Sequence, residues 1–153
     1  MSRLFLTSIL IVTIIVTDMA NSQFAVAVHV LTLIARSGEA AAKSDKIAKS
    51  VNTNPVVIRR LLSQLGRSGL VTSHTGASGG TRLARPASEI KLVDVYRSMA
   101  CGEVFSLHGS PNQDCPVGRS VEAVLCNLQK EIDASVASTL EQHTLADVLE
   151  KVA

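Results

Sequence analysis

Residues 54–83 read NPVVIRRLLSQLGRSGLVTSHTGASGGTRL, and this stretch decides the fold. Asn54 can cap a helix, with Pro55 at its first position, where the missing N–H costs nothing. Val57, Leu61, Leu62 and Leu65 recur at helical spacing as an inner stripe, and Gly69 stops the helix. Leu70 to Ser73 alternates and favours a strand. Gly76 to Gly80 is a flexible turn, Thr81 to Leu83 returns, and Pro86 closes the hairpin.

Upstream, Ser44 is expected to cap a short helix running to about Val51, with Asp45 in the first turn, where a negative charge suits the helix dipole. Val51-Asn52-Thr53 is a tight turn into the next helix. Further back, Asn21 and Ser22 can cap a helix to about Arg36. Its stripe is Phe24, Val28, Leu31 and Ala35, widened by Val26, Val30 and Leu33, and Gly38 ends it. A short helix, a turn, a second helix and a two-stranded wing make a winged helix-turn-helix, whose second helix lies in the DNA major groove. Downstream, Leu92 to Met99 is a helix and residues 102–114 form a polar loop. Pro116 opens a long helix to about Leu140, with Val117, Val121, Val124, Leu125, Leu128, Ile132 and Val136 as an apolar seam. Thr144 caps a last helix from Leu145 to Val152. The expected fold is mainly α with a small β wing: a winged helix-turn-helix plus a long dimerisation helix. Residues 1–18 are an apolar extension, 19–86 the DNA-binding domain, and 87–153 the linker helix, loop and dimerisation helix.

Composition narrows the function. The chain has 153 residues, 46% apolar and 18% charged, so it is one globular domain or a domain with an arm. Trp is absent and Tyr96 is the single tyrosine, which argues against binding single strands by base stacking. With 3 cysteines, a fully paired disulfide framework is excluded. From Arg36 to Arg97 there are 11 Lys/Arg against 4 Asp/Glu, a net of +7, whereas Ser98 to Ala153 has 3 against 8, a net of −5. A basic half beside an acidic half suits contact with a polyanion, although a solvated charge pattern reads the same way. Leu4 to Val16 is apolar but too short for the ~20 residues of a membrane-spanning helix. The 1–18 run fits an upstream start before Met19. An anchor or export signal and an added packed element are the other readings.

The outward residues of the second helix and the wing form the candidate DNA-binding set: Asn54, Val56, Arg59, Arg60 and Gln64, then His74, Thr75, Ser78 and Arg82. Arginine donates two bonds to guanine and also neutralises phosphate. Small wing residues let the backbone approach the minor groove. No strand precedes the glycines in a βαβ unit and no Lys follows, so they are not a nucleotide-binding loop.

The order of these parts resembles the Rrf-type bacterial transcription regulators, the family of the iron–sulfur regulator IscR, the nitric-oxide regulator NsrR and the cysteine-metabolism regulator CymR. Phe24-Ala25-Val26, Asp45-Lys46-Ile47-Ala48, Arg60-Leu61-Leu62-Ser63-Gln64-Leu65, Gly69-Leu70-Val71, the Gly76–Gly80 wing and Ile90-Lys91-Leu92-Val93-Asp94-Val95 carry the resemblance, over residues 20 to 150. It implies a homodimer in which the long helix crosses its mate, bound to a palindromic operator on double-stranded DNA, acting in the cytoplasm as a repressor, with no membrane partner and no catalysis. Thr75 stands where the family's wing often has arginine. The family's iron–sulfur members space three cysteines by about five to seven residues, and cluster ligands must converge. Here Cys101, Cys115 and Cys126 are separated by 13 and 10 residues, which suits a cluster badly, and Cys115-Pro116-Val117-Gly118 looks like the family's cluster-free branch, so no cofactor is expected.

Cys115 stands at a helix start with Arg119 one turn on, both favouring thiolate, while Asp114 opposes it. It is the candidate redox thiol, and Cys126 reads as seam filler. His29 reads as core or interface, His108 and His143 as loop residues, and no spacing makes a zinc site. Other readings are a thiol- or iron–sulfur-responsive member of the family, a winged-helix protein–protein module that no longer binds DNA, and a thiol enzyme with Cys115 as nucleophile and His108 as base.

Overall fold

Apolar residues in the helix over residues 22–36 (α1) occur on nearly every side, so its burial is decided by neighbours. The computed structural model describes residues 22–38, 40–76, 79–99, 107, 112 and 114–152. Ala27, Val30, Leu31 and Ile34 are the fully buried positions of α1. The expected stripe of Phe24, Val28, Leu31 and Ala35 is therefore rotated: Phe24, Val28 and Ala35 pack only against the margin of the core. The 1–18 run, Asn21, Ser78, Cys101 and His108 lie outside the described residues.

Helix α2 (Ser44–Val51) begins at its expected cap residue, one position earlier than expected. Lys43 is the N-cap, Ser44 is already helical, and no side chain caps the end. Asn52, with φ 57°, ends α2 in the left-handed region, which asparagine tolerates. Helix α3 (Pro55–Arg67) follows at once. Asn54 Oδ1 accepts from the Val56 N–H at 2.8 Å, as its cap role requires. Its buried stripe is Ile58, Leu61, Leu62 and Leu65, and Val57, expected inside, is 41% exposed. Gly69, with φ 68°, ends the turn after α3, and the Leu70 N–H returns to the Leu65 carbonyl at 3.0 Å.

Strands β1 (Val71–His74) and β2 (Gly80–Leu83) pair antiparallel, Val71 opposite Leu83 and His74 opposite Gly80. The hairpin does not stand alone. Ala42, in the strap between α1 and α2, exchanges two backbone hydrogen bonds with Thr81, each 2.9 Å. A Cβ on Gly80 would lie 2.7 Å from Ala41 Cβ, so glycine is what lets the strap reach the sheet.

After a 3₁₀ turn (Ala87–Glu89) come helix α4 (Leu92–Ser98), helix α5 (Pro116–Glu141) and helix α6 (Leu145–Lys151). One apolar core joins α1, α2, α3, Leu70, Val71, Ile90, Val95, Met99 and Leu145, and so runs across the boundary drawn at residue 86. Phe24 of α1 meets Tyr96 of α4 edge to face at 5.8 Å. At about 1.5 Å per residue, α5 is roughly 39 Å long. Gln129 is its one buried residue among those described. Val117, Val121, Val124 and Leu128 of the expected seam are exposed, whereas Leu125, Ile132 and Val136 are half-buried against the protomer.

The turn from α5 to α6 is pinned by backbone bonds from Leu92 N–H to the His143 carbonyl, 2.9 Å, and from Leu145 N–H to the Ile90 carbonyl, 2.8 Å. A capping box then starts α6: Asp147 N–H donates to Thr144 Oγ1, and Thr144 N–H donates to Asp147 Oδ2 at 2.7 Å. The Thr144 N–H bond first, and then the Thr144 hydroxyl donating to the same Oδ2 at 3.0 Å, hold the Asp147 carboxyl below its usual pKa. A depressed carboxylate contributes stability above its unfolded pKa and loses it as pH falls through the folded value. Asp147→Asn is expected to unfold at lower temperature than the parent at neutral pH, with the difference closing under acid, in paired melts across pH. Thr144→Ala should cost about 1 kcal/mol.

Candidate nucleic-acid interface

A helix places successive side chains about 100° apart, so residues opposite a buried stripe are fixed by it. Opposite Ile58, Leu61, Leu62 and Leu65, α3 presents Val56, Arg60, Ser63 and Arg67, all exposed, with Arg59 on the flank toward α2 and the hairpin. Lys43 and Ser44 at the start of α2, Arg59 and Ser63 of α3, and His74 and Thr75 of the hairpin line one cleft. Lys43, Ser44 and Ser63 are absent from the sequence-derived set. Ser63 was legible, because it lies one helical turn beyond Arg59.

The strand register puts Thr72, His74 and Arg82 on one face of the hairpin and Val71 and Thr81 on the other. The first face is exposed, and Val71 and Thr81 are buried. Ser73 and Thr81 hydroxyls are bonded at 2.9 Å, stiffening the hairpin where the strap joins it. Arg82 is thus presented outward, although it is not among the residues lining the cleft.

The salt bridges among the described residues are Arg85–Asp94 at 2.8 Å and Lys91–Glu141 at 3.2 Å. Arg59, Arg60 and Arg82 therefore have no carboxylate within ion-pair distance there, even though Asp45 lines the same cleft. Three exposed guanidinium groups without internal counter-charge, in a segment of net charge +7, suit phosphates and guanine edges.

Gln64 behaves differently from its neighbours. Its side-chain Nε2 donates to the Ser98 carbonyl at 2.7 Å, so the amide is turned toward α4 and away from the outward face. Gln64 thus leaves the DNA-facing set. His29, expected in core or interface, is exposed in the protomer and within 3.3 Å of Ser50 Oγ.

Cys115 is exposed as the N-cap of α5, and Cys126 is half-buried further along the same helix. Ten residues of helix lie between them and set them roughly 16 Å apart, too far for both thiolates of one chain to meet on one cluster. Among the described residues, no group of three or more His, Cys, Asp or Glu side chains could hold a metal ion. No helix of the described residues is long and apolar enough to cross a membrane.

Similarity to known proteins agrees with this geometry. The model of the Rrf2 family, described as iron-dependent transcriptional regulators, matches residues 20–151. YwnA of Bacillus subtilis (strain 168), provisionally named an HTH-type transcriptional regulator, is 39% identical over 132 residues, 86% of this chain and 97% of that protein. A crystal structure of a provisionally assigned transcriptional regulator from Lactobacillus plantarum superposes with a TM-score of 0.72 at 25% identity, over 86% of this chain and 89% of that one. IscR of T. potens superposes with a TM-score of 0.61 at 28% identity, over 86% of each chain.

Proposed function

The chain belongs to the Rrf2 family of DNA-binding transcriptional regulators, and from that membership we propose a homodimeric repressor that binds a palindromic operator and works without a resident metal cluster. The observation that carries this reading is the row of exposed arginines on α3 and the hairpin, with no salt bridge to another described residue, opposite a buried aliphatic stripe. Helix α3 enters the major groove with Val56, Arg59 and Arg60 near the base edges, while Asn54 fixes where the helix starts. His74, Thr75, Ser78 and Arg82 of the wing lie along the adjacent phosphates and minor groove. The chain acts by binding and not by catalysis, in the cytoplasm, where it blocks transcription from the occupied operator.

The partner subunit covers the α5 stripe of Val117, Val121, Val124 and Leu128. Their spacing of four, three and four residues is the repeat by which two helices interlock. Four exposed aliphatic side chains on one helix, Val117 at 71%, are unfavourable in water and favourable against a second copy. Two copies present two α3 helices to two half-sites, which raises affinity through linkage.

The family description names iron, but the separation of Cys115 and Cys126 along one helix supports a signal that enters by another route. Cys115 is the candidate: it is exposed and stands at the positive end of α5.

Anisotropy titrations against a duplex selected from a randomised library test the DNA reading. Arg59→Ala or Arg60→Ala should weaken binding by about 1–3 kcal/mol where the side chain pairs with a base, and relax preference at one position. Arg82→Ala should weaken selected and random duplexes alike and flatten the salt dependence by about one phosphate. Unchanged affinity and preference in the Arg59/Arg60 double variant would falsify the placement of α3.

Sedimentation tests the assembly. The parent chain should run as a dimer at micromolar concentration, and Leu128→Glu as a monomer with much weaker operator binding. A parent monomer refutes the dimer.

Purification without oxygen should yield colourless protein lacking stoichiometric iron, in which Cys115 alkylates faster than Cys126. A visible charge-transfer band would overturn the cluster-free reading.

A further inference from the structure

Helix α4 is tied at both ends to the DNA-facing elements. In its first turn, Asp94 Oδ2 accepts from Arg85 Nη2 at 2.8 Å, and Arg85 follows β2 by two residues. At its last residue, the Ser98 carbonyl accepts from Gln64 Nε2 of α3 at 2.7 Å. Helix ends leave carbonyls without intrahelical donors. The Met99 N–H turns back to the Val95 and Tyr96 carbonyls, and a side chain from another helix serves Ser98. Met99 itself is buried in the core, which holds this end of α4 in place.

The contact matters because of what else holds α3. Ile58, Leu61, Leu62 and Leu65 bind it through apolar burial, which is non-directional. Such contacts oppose pulling α3 away or rolling it to another face, but they set its rotation about its own axis less sharply than a directional bond does. A hydrogen bond demands distance and angle, and half-buried Gln64 makes it where water competes less. Gln64 sits on the flank of α3, one turn beyond Arg60, so its anchor acts beside an outward arginine. For a side chain reaching ~6 Å from the axis, a 20° rotation moves its tip on the order of 2 Å, enough to lose a base contact.

We propose that Gln64 is a positioning residue for DNA reading: by donating to the last carbonyl of α4 it fixes the rotation of α3, and so sets base selectivity without touching DNA. The inference rests on α3 being the reading helix. It gives α4 the role of a strut that sets recognition helix and wing against one common element.

The experiment compares affinities of the full chain for the duplex that the parent protein selects from a randomised library and for a random duplex, by fluorescence anisotropy. Gln64→Met keeps side-chain length and helix propensity but removes the donor. Gln64→Glu keeps shape but offers only acceptors. Gln64→Lys restores a donor. Gln64→Met should lower the selected-to-random ratio about tenfold, an effect like one or more lost base contacts, with random-duplex affinity and salt slope unchanged, and Gln64→Glu should lower the ratio as much while its added negative charge also weakens the random duplex. Gln64→Lys should keep the ratio within about twofold of the parent, well under the cost of one lost base contact. A parental ratio in Gln64→Met overturns the proposal. So does an equal loss on both duplexes that tracks a fall in folded fraction, which is the mark of a merely structural residue. So does a Gln64→Lys chain as unselective as Gln64→Met. Failure of the underlying reading is distinguishable, because then the Arg59/Arg60 double variant also keeps the parental ratio.

Discussion

Burial of Ile58, Leu61, Leu62 and Leu65 is the constraint from which the rest of the molecule follows. Those side chains occupy one side of α3, and the helical repeat then fixes which residues are turned outward. Each fully buried aliphatic group contributes roughly 1.5–3 kcal/mol relative to exposure, so rolling α3 to present another face is strongly opposed. Arginines on the remaining side are thereby held in water, with no salt bridge to another described residue. Such groups bind a polyanion without first breaking an internal ion pair.

The same core extends into the second half of the chain. Ile90, Val95, Met99 and Leu145 join it, and backbone bonds hold Leu92 to His143 and Leu145 to Ile90. The C-terminal end of α5 is thus fixed relative to the DNA-facing elements, while its N-terminal end carries the uncovered aliphatic stripe. A long helix anchored at one end and apolar at the other is a lever whose free end seeks a partner.

Much of this was legible in sequence, and the failures have local causes. Asn54-Pro55, Gly69 and the glycine turn carry strong backbone preferences, so α3 and the hairpin fell where they were expected. Thr144 was read as a cap, and it caps. The phase of α3 was misjudged because Val56, Val57 and Ile58 are consecutive and apolar, so periodicity does not say which of them faces inward. Helix α1 posed the same difficulty on a larger scale. Ser44 has a capping side chain, yet Lys43 holds the cap position, because the pairing of Ala42 with Thr81 sets where the strap ends. That pairing has no sequence signature, being a single backbone bridge between distant residues. Gln64 looked outward because a polar side chain on a helix usually is. Only the position of the Ser98 carbonyl reveals otherwise.

The bridge between Ala42 and Thr81 has an evolutionary consequence. It clamps the hairpin one residue pair from its turn, through main-chain atoms, and Gly80 lets the strap come that close. Glycine is demanded inside the turn as well: a Cβ on Gly79 would lie 2.4 Å from the His74 carbonyl oxygen, and Gly76 has φ 118°. Sequence change is thereby least free where strap and turn meet, because a side chain at position 80 would push on the segment that leads into α2 as well as on the hairpin.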